Sequence, residues 1–284
     1  MAVPSELEAV LAERMIVFDK AVAATRGARP YQEDTALLWP GEGQKASELP
    51  EPATLVAILA DGMGGHAGGA LASHMACETF AAGYAAAEGD TRQRLFEALM
   101  RANDAIAAKV ADNPVLEGMG STLVGVVFGE DGAHWVSVGD SPLLLVRRGQ
   151  LALLNEDHSL APELDRLAEL GRMTHEDARR DPRRHMLRSA VTGEEIELVD
   201  MSRQPLAIEP GDYVILASDG LNTLDYAEIE RIVAAYATDG AKSVAEALIR
   251  AVLAVKDPHQ DNTTIVAVRP VERIVQTSGE PTPV

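Results

Sequence analysis

With 284 residues and 46% apolar side chains, the chain can bury a sizeable core as one large domain or two small ones. A net charge of −19 argues against a nucleic-acid backbone or an anionic membrane as main partner. The single cysteine, Cys77, allows no internal disulfide, no apolar run reaches the roughly 18 residues of a membrane span, and the N-terminus, with Glu6, Glu8 and Glu13, has no basic leader; the cytoplasm is the expected compartment.

Residues 1–14 form an N-terminal extension in which Leu7, Val10 and Leu11 have the spacing of a short amphipathic helix, and a first strand is expected over 15–25. Arg29-Pro30-Tyr31-Gln32-Glu33-Asp34 leads into a strand through Ala36, Leu37, Leu38 and Trp39. Residues 40–53, rich in Gly, Glu and Pro, have the composition of an exposed loop. Leu55-Val56-Ala57-Ile58-Leu59-Ala60 reads as a buried strand ending at Asp61. A helix over 70–87 follows, with a core stripe of Leu71, Met75, Thr79 and Tyr84. A second starts near 91, with Leu95, Leu99, Ala102, Ile106 and Val110 on one face and Asp90 with Gln93 as an N-cap pair. The methionines and aromatics of these helices belong to the core, as does the Cys77 thiol.

Short strands then alternate with tight turns: Ser121–Phe128, His134–Val138, Leu143–Arg147 and Gln150–Leu154. Residues 159–190 change character, with many Arg, Glu and Asp, and read as short helices and loops. Strands resume at 195–200 and Tyr213–Ser218. Asp225 with Glu228 can cap a helix through Ile229, Ile232, Val233 and Tyr236, and Val244, Leu248, Ala251 and Val255 mark another. Thr263–Val268 is the last strand, and the tail 270–284 lacks periodicity and is expected to be disordered. Hairpin links argue for antiparallel sheets, and helices in pairs argue against a parallel one.

The stretch Asp61-Gly62-Met63-Gly64-Gly65-His66-Ala67-Gly68-Gly69 puts an aspartate at a strand end, before a backbone free to turn tightly. It has the letters of a dinucleotide-binding fingerprint. That motif needs a second strand ending in an acid about 20 residues on, where this chain has a helix, and Asp61 would face an anionic pyrophosphate. No Gly-Lys-Ser/Thr is present, which removes a P-loop. A plain glycine-rich turn is the remaining alternative for the stretch alone.

Asp61, Asp140 and Asp219 each end an apolar run, Asp261 precedes one, and Glu33-Asp34 opens another. If these ends share one edge, the carboxylates repel and shift one another's pKa until a cation neutralises them. Oxygen ligands without a Cys/His set point to Mg²⁺ or Mn²⁺, with Asp61 and the Gly62 carbonyl as candidate ligands. A metal pair can clamp a phosphoryl group and activate a water. Arg29 is the nearby cation able to grip the phosphate. No Ser-His-Asp or Cys-His set stands out, which disfavours covalent catalysis.

The set Arg29-x-x-x-Glu33-Asp34, Asp61-Gly62-Met63-Gly64-Gly65-His66, Gly120-Ser121-Thr122, Val138-Gly139-Asp140-Ser141, Asp157-His158-Ser159, Ser218-Asp219-Gly220 and Asp261-Asn262-Thr263-Thr264 resembles the metal-dependent serine/threonine protein phosphatases, type 2C or PPM class, most of all the bacterial branch. The resemblance covers roughly 16–269 in the family's motif order. It implies an α+β fold, a four-layer αββα sandwich of two antiparallel sheets flanked by helix pairs, with a phosphatase domain over 15–269. It also implies hydrolysis of phosphoserine and phosphothreonine in proteins by a metal-activated water. By the same likeness Asp61 bridges two ions, Asp219 and Asp261 complete the first site, and Glu33, Asp34 and the Gly62 carbonyl serve the second. Asp140 with Asp219 would hold a third ion, and Arg29 would bind the phosphate. The implied partners are phosphorylated proteins, namely a bacterial Ser/Thr kinase and its substrates.

Two departures stand out. Some members carry a histidine directly after Asp-Gly as general acid; here Met63 stands there and His66 lies three residues on, which leaves a metal-bound water as the expected proton donor. The segment usually reading Thr-Arg-Ala-Leu-Gly is Leu187-Arg188-Ser189-Ala190-Val191-Thr192-Gly193, in the flap expected over about 159–192. Arginines cluster in that flap. Arg183 and Arg184 either draw anionic phosphoproteins to the site or pair with local acids on a solvated face. Two rival readings are a catalytically weak phosphatase-fold regulator that binds phosphoproteins, which would not need the intact acid set, and an unrelated two-metal nuclease, which the negative charge disfavours.

Overall fold

The computed structural model describes residues 12–41, 49, 53–65 and 67–276. The first half runs β1 (Ala12–Thr25), β2 (Asp34–Trp39), β3 (Ala53–Met63), α1 (Ala67–Ala86), α2 (Thr91–Asp112), β4 (Gly120–Ser121), β5 (Leu123–Gly129), β6 (Gly132–Val138), β7 (Leu143–Arg147) and β8 (Gln150–Leu153). The second half runs α3 (Ala161–Glu169), α4 (His175–Arg180), β9 (Asp200–Met201), β10 (Tyr213–Ala217), α5 (Tyr226–Tyr236), α6 (Ala241–Val255) and β11 (Thr263–Gln276).

Two sheets, each antiparallel in its described pairings, stack face to face. One has the order β1-β11-β10-β7-β8, and the other β2-β3-β5-β6-β9 with β4 beside β3. The period-two alternation of the strands divides the apolar residues between layers. Leu55, Ala57 and Leu59 of β3 join Val124, Val126 and Phe128 of β5 in the central core, against Leu143, Leu145, Val214, Leu216, Val266 and Val268 of the facing sheet. Val56, Ile58 and Ala60 point the other way, into a core shared with α1 and α2. On the opposite outer face Ile215, Ala217, Ile265 and Ala267 pack under α5 and α6. The result is the four-layer αββα sandwich. Among the described residues no helix is long and apolar enough to cross a membrane.

Most elements lie where the sequence puts them, and the differences have physical causes. In α1 Tyr84 is buried as expected, but ahead of it the stripe is shifted by one residue: Ala72, Ala76 and Phe80 are buried, while Leu71, Met75 and Thr79 are only partly so. Small side chains bring the helix close to the sheet, and the Phe80 ring fills the space a Cβ on Gly125 would occupy, 2.4 Å from its Cζ. The strand expected over Ser121–Phe128 is interrupted at Thr122, whose backbone and side chain are turned to Asp61. Of the strand expected over 195–200 only Asp200–Met201 forms. The last strand does not stop at Val268; β11 pairs with β1 along its whole length, from Thr25↔Thr263 to Ala12↔Gln276. β10 accompanies β11 only as far as Val268, so Pro270 stands where that flank of the strand needs no ladder hydrogen bond. Residues 12–14 and 270–276, expected to be helix and disordered tail, are therefore strand. The rest of the expected N-terminal helix, most of the 40–53 loop, His66 and residues 277–284 lie outside the described residues.

Candidate active site

Asp61 sits near the end of β3, and the Gly120-Ser121-Thr122 segment fixes its backbone. Its N–H donates to Thr122 Oγ1 at 3.0 Å, and its carbonyl accepts from Thr122 N–H at 2.9 Å and Ser121 Oγ at 2.8 Å. The strand end is pressed against the start of α1. A Cβ on Gly62 would lie 2.0 Å from Gly69 O, so only glycine permits this approach.

The other acids arrive from both sheets. Asp140 follows β6, Asp219 follows β10, Asp261 precedes β11, and Glu33 stands at the entrance to β2. Glu33, Asp61, Asp140, Asp219 and Asp261 line one open cleft of about 660 Å³, together with Arg29 and the Gly62–Gly65 backbone. Asp34 lies behind them, directly across the ladder from Asp61, and accepts a 2.7 Å hydrogen bond from Ser218 Oγ.

Crowded carboxylates in a partly dry cleft resist ionisation. Burial pushes the Asp61 carboxyl well above the usual carboxylate range, and Asp34, Asp219, Asp140 and Asp261 push it further. Burial, then Asp140 and Asp261, lift Asp219 to about 7. Burial, then Asp157, lift Asp140 to about 6. Burial raises Asp34 as well, against the hydrogen bond from Ser218.

Among the described residues no three His, Cys, Asp or Glu side chains close on a single point as a finished ligand set. The donors nonetheless fit a hard divalent cation. Glu33 Oε1 and Asp34 Oδ1 are buried without a hydrogen-bond partner, and the set is all oxygen.

Arg29 reaches into the cleft but holds an acid: its Nη2 lies 2.5 Å from Asp261 Oδ2. Three supporting residues were quoted in the sequence motifs without a role. Asn262, buried, accepts from Glu33 N–H at 2.7 Å and donates to the carbonyls of Arg26 and Tyr31 at 2.9 Å, so it shapes the whole Arg29–Glu33 loop. Ser218 bridges Asp34 to the Thr264 N–H. His158 Nδ1 accepts from Gly139 N–H at 3.2 Å, beside Asp140. A polar residue immediately before or after a strand-end aspartate was the available signal for the first two; for His158 there was none short of the fold.

The flap contributes His185, Met186, Leu187 and Arg188 to the cleft, whereas Arg183 and Arg184 do not line it. Arg183 pairs with Asp181 and Arg184 with Asp165 on α3. Met63 lines the cleft beside Gly62.

Comparison with known proteins agrees with this fold. The family model described as protein phosphatase 2C matches residues 45–255. The serine/threonine protein phosphatase PstP of Mycobacterium tuberculosis is 36% identical over 209 residues, which are 73% of this chain and 39% of that protein. The chain thus spans about 39% of the length of that curated relative. A crystal structure of the M. tuberculosis phosphatase PstP/Ppp has a TM-score of 0.72 at 31% identity and covers 90% of this chain and 99% of its own. A structure of the catalytic domain of PstP in complex with two manganese ions has a TM-score of 0.70 at 31% identity, with 90% and 100% covered.

Proposed function

The chain belongs to the protein phosphatase 2C family, and on that premise we propose that it is a Mg²⁺- or Mn²⁺-dependent phosphatase acting on phosphoserine and phosphothreonine in proteins. One observation carries the reading: Glu33, Asp61, Asp140, Asp219 and Asp261 come from separate elements to a single cleft that also receives Arg29. When bound, a pair of divalent ions would supply positive charge for the phosphoryl oxygens and lower the pKa of a water, so that it can give up a proton and attack phosphorus. Asp61 would serve both ions, Asp219 and Asp261 would complete one site, and Glu33 with the Gly62 carbonyl would serve the other. Asp34 stands behind that second site, and Asp140 with Asp219 would hold a third ion. Arg29 leaves Asp261 to hold two phosphate oxygens. Met63 has no proton to give, so the leaving serine or threonine oxygen takes its proton from water in the cleft.

The phosphatase domain is taken to run over 12–276, slightly beyond the 15–269 expected, because β1 and β11 pair along their full lengths. Its counterpart is a bacterial Ser/Thr kinase with that kinase's substrates, in the cytoplasm. The deciding assay presents p-nitrophenyl phosphate, a phosphothreonine peptide and a DNA control with Mn²⁺ and again with EDTA. Hydrolysis of both monoesters with Mn²⁺ only, and intact DNA, is expected. A phosphopeptide that binds without turnover would indicate a regulator, and cut DNA a nuclease.

A further inference from the structure

We propose that the turn over Thr192–Glu197 sets the substrate class of the cleft, selecting phosphoproteins with Lys or Arg beside the phosphorylated residue. The inference rests on the phosphatase reading of the same cleft. Glu194, Glu195 and Glu197 line it beyond the deeper acids. Among the described residues none of the three side chains has an ion pair or hydrogen bond.

The turn is held at a fixed place. Asn103, 5% exposed on α2, accepts from Gly193 N–H at 2.9 Å and donates to Glu194 O at 2.7 Å. At the far end Ser189 Oγ donates to Leu198 O at 2.9 Å and accepts from Leu198 N–H at 3.0 Å. Gly193, with φ 88°, lies so close to α2 that a Cβ would sit 2.6 Å from the Ala107 backbone. Two buried polar side chains and one glycine therefore fix the glutamates in position at the cleft wall.

The charges around them differ in kind. The deeper acids answer to cations, and Arg29 answers to Asp261 or to phosphate. Arg188 is the only arginine that the flap adds to the lining, with His185 beside it. Three carboxylates against one guanidinium leave the path of the flanking residues acidic. A peptide bringing a dianionic phosphate past this wall gains from basic neighbours and loses from acidic ones. Each exposed pair is weak, worth a factor of about 1.5–5, so two basic neighbours together should give about tenfold.

The test compares two phosphothreonine peptides of the same core, one flanked by Lys and Arg, the other by Glu, with Mn²⁺ at low salt. The basic peptide should show a kcat/KM about tenfold higher, with the ratio shrinking as salt screens it. In the triple variant Glu194→Gln, Glu195→Gln, Glu197→Gln the ratio should fall to near one. Asn103→Ala, which frees the turn without changing charge, should lower it partly, and Glu195→Gln alone serves if the triple variant does not fold. Equal rates on the two peptides, or a preference that survives the triple variant, would overturn the proposal. Wild-type hydrolysis of p-nitrophenyl phosphate reads the underlying assignment separately: without it the phosphatase reading fails, and with it but no peptide preference only this inference fails.

Discussion

Arg29 and Asp261 meet at 2.5 Å across 232 residues of chain, tying the β1–β2 loop to the segment that leads into β11. The pair is open to solvent, with side-chain exposures of 55% and 36%, so it is a weak link that can be exchanged. Arg29 is thus held ready beside the acid cluster, and a phosphate would compete with Asp261 for it. Arg29→Ala should lower kcat/KM for phosphomonoesters by about 10- to 100-fold, the loss of a charge-assisted contact worth roughly 1.5–3 kcal/mol. Mn²⁺ affinity should hold or rise, because Asp261 is released. Calorimetric titration showing metal binding lost in step with activity would make Arg29 a structural partner of the cluster instead.

Asp61 should trade stability against activity. Its carboxyl is buried among four others that raise its pKa. Asp61→Asn removes the repulsion and should raise the melting temperature of the EDTA-treated protein, by about 2–4 °C for each kcal/mol relieved. Turnover with Mn²⁺ should fall far more than tenfold, and Asp219→Asn should behave alike. A variant keeping more than about a tenth of kcat, a barrier change below roughly 1.4 kcal/mol, would remove Asp61 from the reacting centre.

The same carboxylates predict how stability follows pH. Asp140 and Asp219 have folded values of about 6 and about 7, above the ordinary 3.8. Between those values the folded metal-free protein holds protons that the unfolded chain has released, so its stability falls as pH rises from about 4 to about 7. Cations that bind the ionised acids cancel that loss. Mn²⁺ should therefore raise the melting temperature little at pH 5 and by ~5 °C or more at pH 7.5. Equal gains at the two pH values, measured calorimetrically against EDTA, would contradict the clustering.

The sandwich and its acids were legible because they rest on local patterns. Leu55–Asp61 shows a buried run that ends in a carboxylate, and Asp90 with Gln93 forms the capping box its spacing implies. Other features depend on the partner across the space. Nothing local to Leu71 or Met75 says that Gly125 admits Phe80 and rotates the α1 stripe. The strand 270–276 could not be read alone, since its stability comes from pairing with β1. Arg183 and Arg184 look alike in sequence and differ only in which acid the fold brings to each.

Asn262 should act as a positioning residue. Its side chain ties Glu33, Arg26 and Tyr31 together, so Asn262→Ala removes the partner of the Glu33 N–H and one hydrogen bond from each of the Arg26 and Tyr31 carbonyls. The expected cost is about 2–3 kcal/mol of stability. Mn²⁺ affinity and kcat should fall together because Glu33 and Arg29 share the released loop. An unaltered metal titration in a destabilised variant would confine Asn262 to holding the fold.

Arg183 and Arg184 should separate in the flap. Arg183 folds back on Asp181 within its own turn, holding it through two side-chain bonds of 3.0 and 2.8 Å. Arg184 reaches across to Asp165 with two 2.8 Å bonds and so ties the segment after α4 to α3. With both cations satisfied locally, and neither lining the cleft, long-range attraction of substrate is the weaker role for them. Arg184→Glu should loosen α3 and α4, raising amide exchange over 161–180 by about two- to fivefold, since a half-exposed pair is worth about 0.5–1 kcal/mol. It should lower phosphoprotein turnover by a factor that does not change with salt. Swapping the charges, Arg184→Asp with Asp165→Arg, should restore slow exchange. Arg183→Glu should disturb only its own turn. A defect in Arg183→Glu confined to phosphoprotein substrates and erased by added salt would instead assign that arginine to recruiting them.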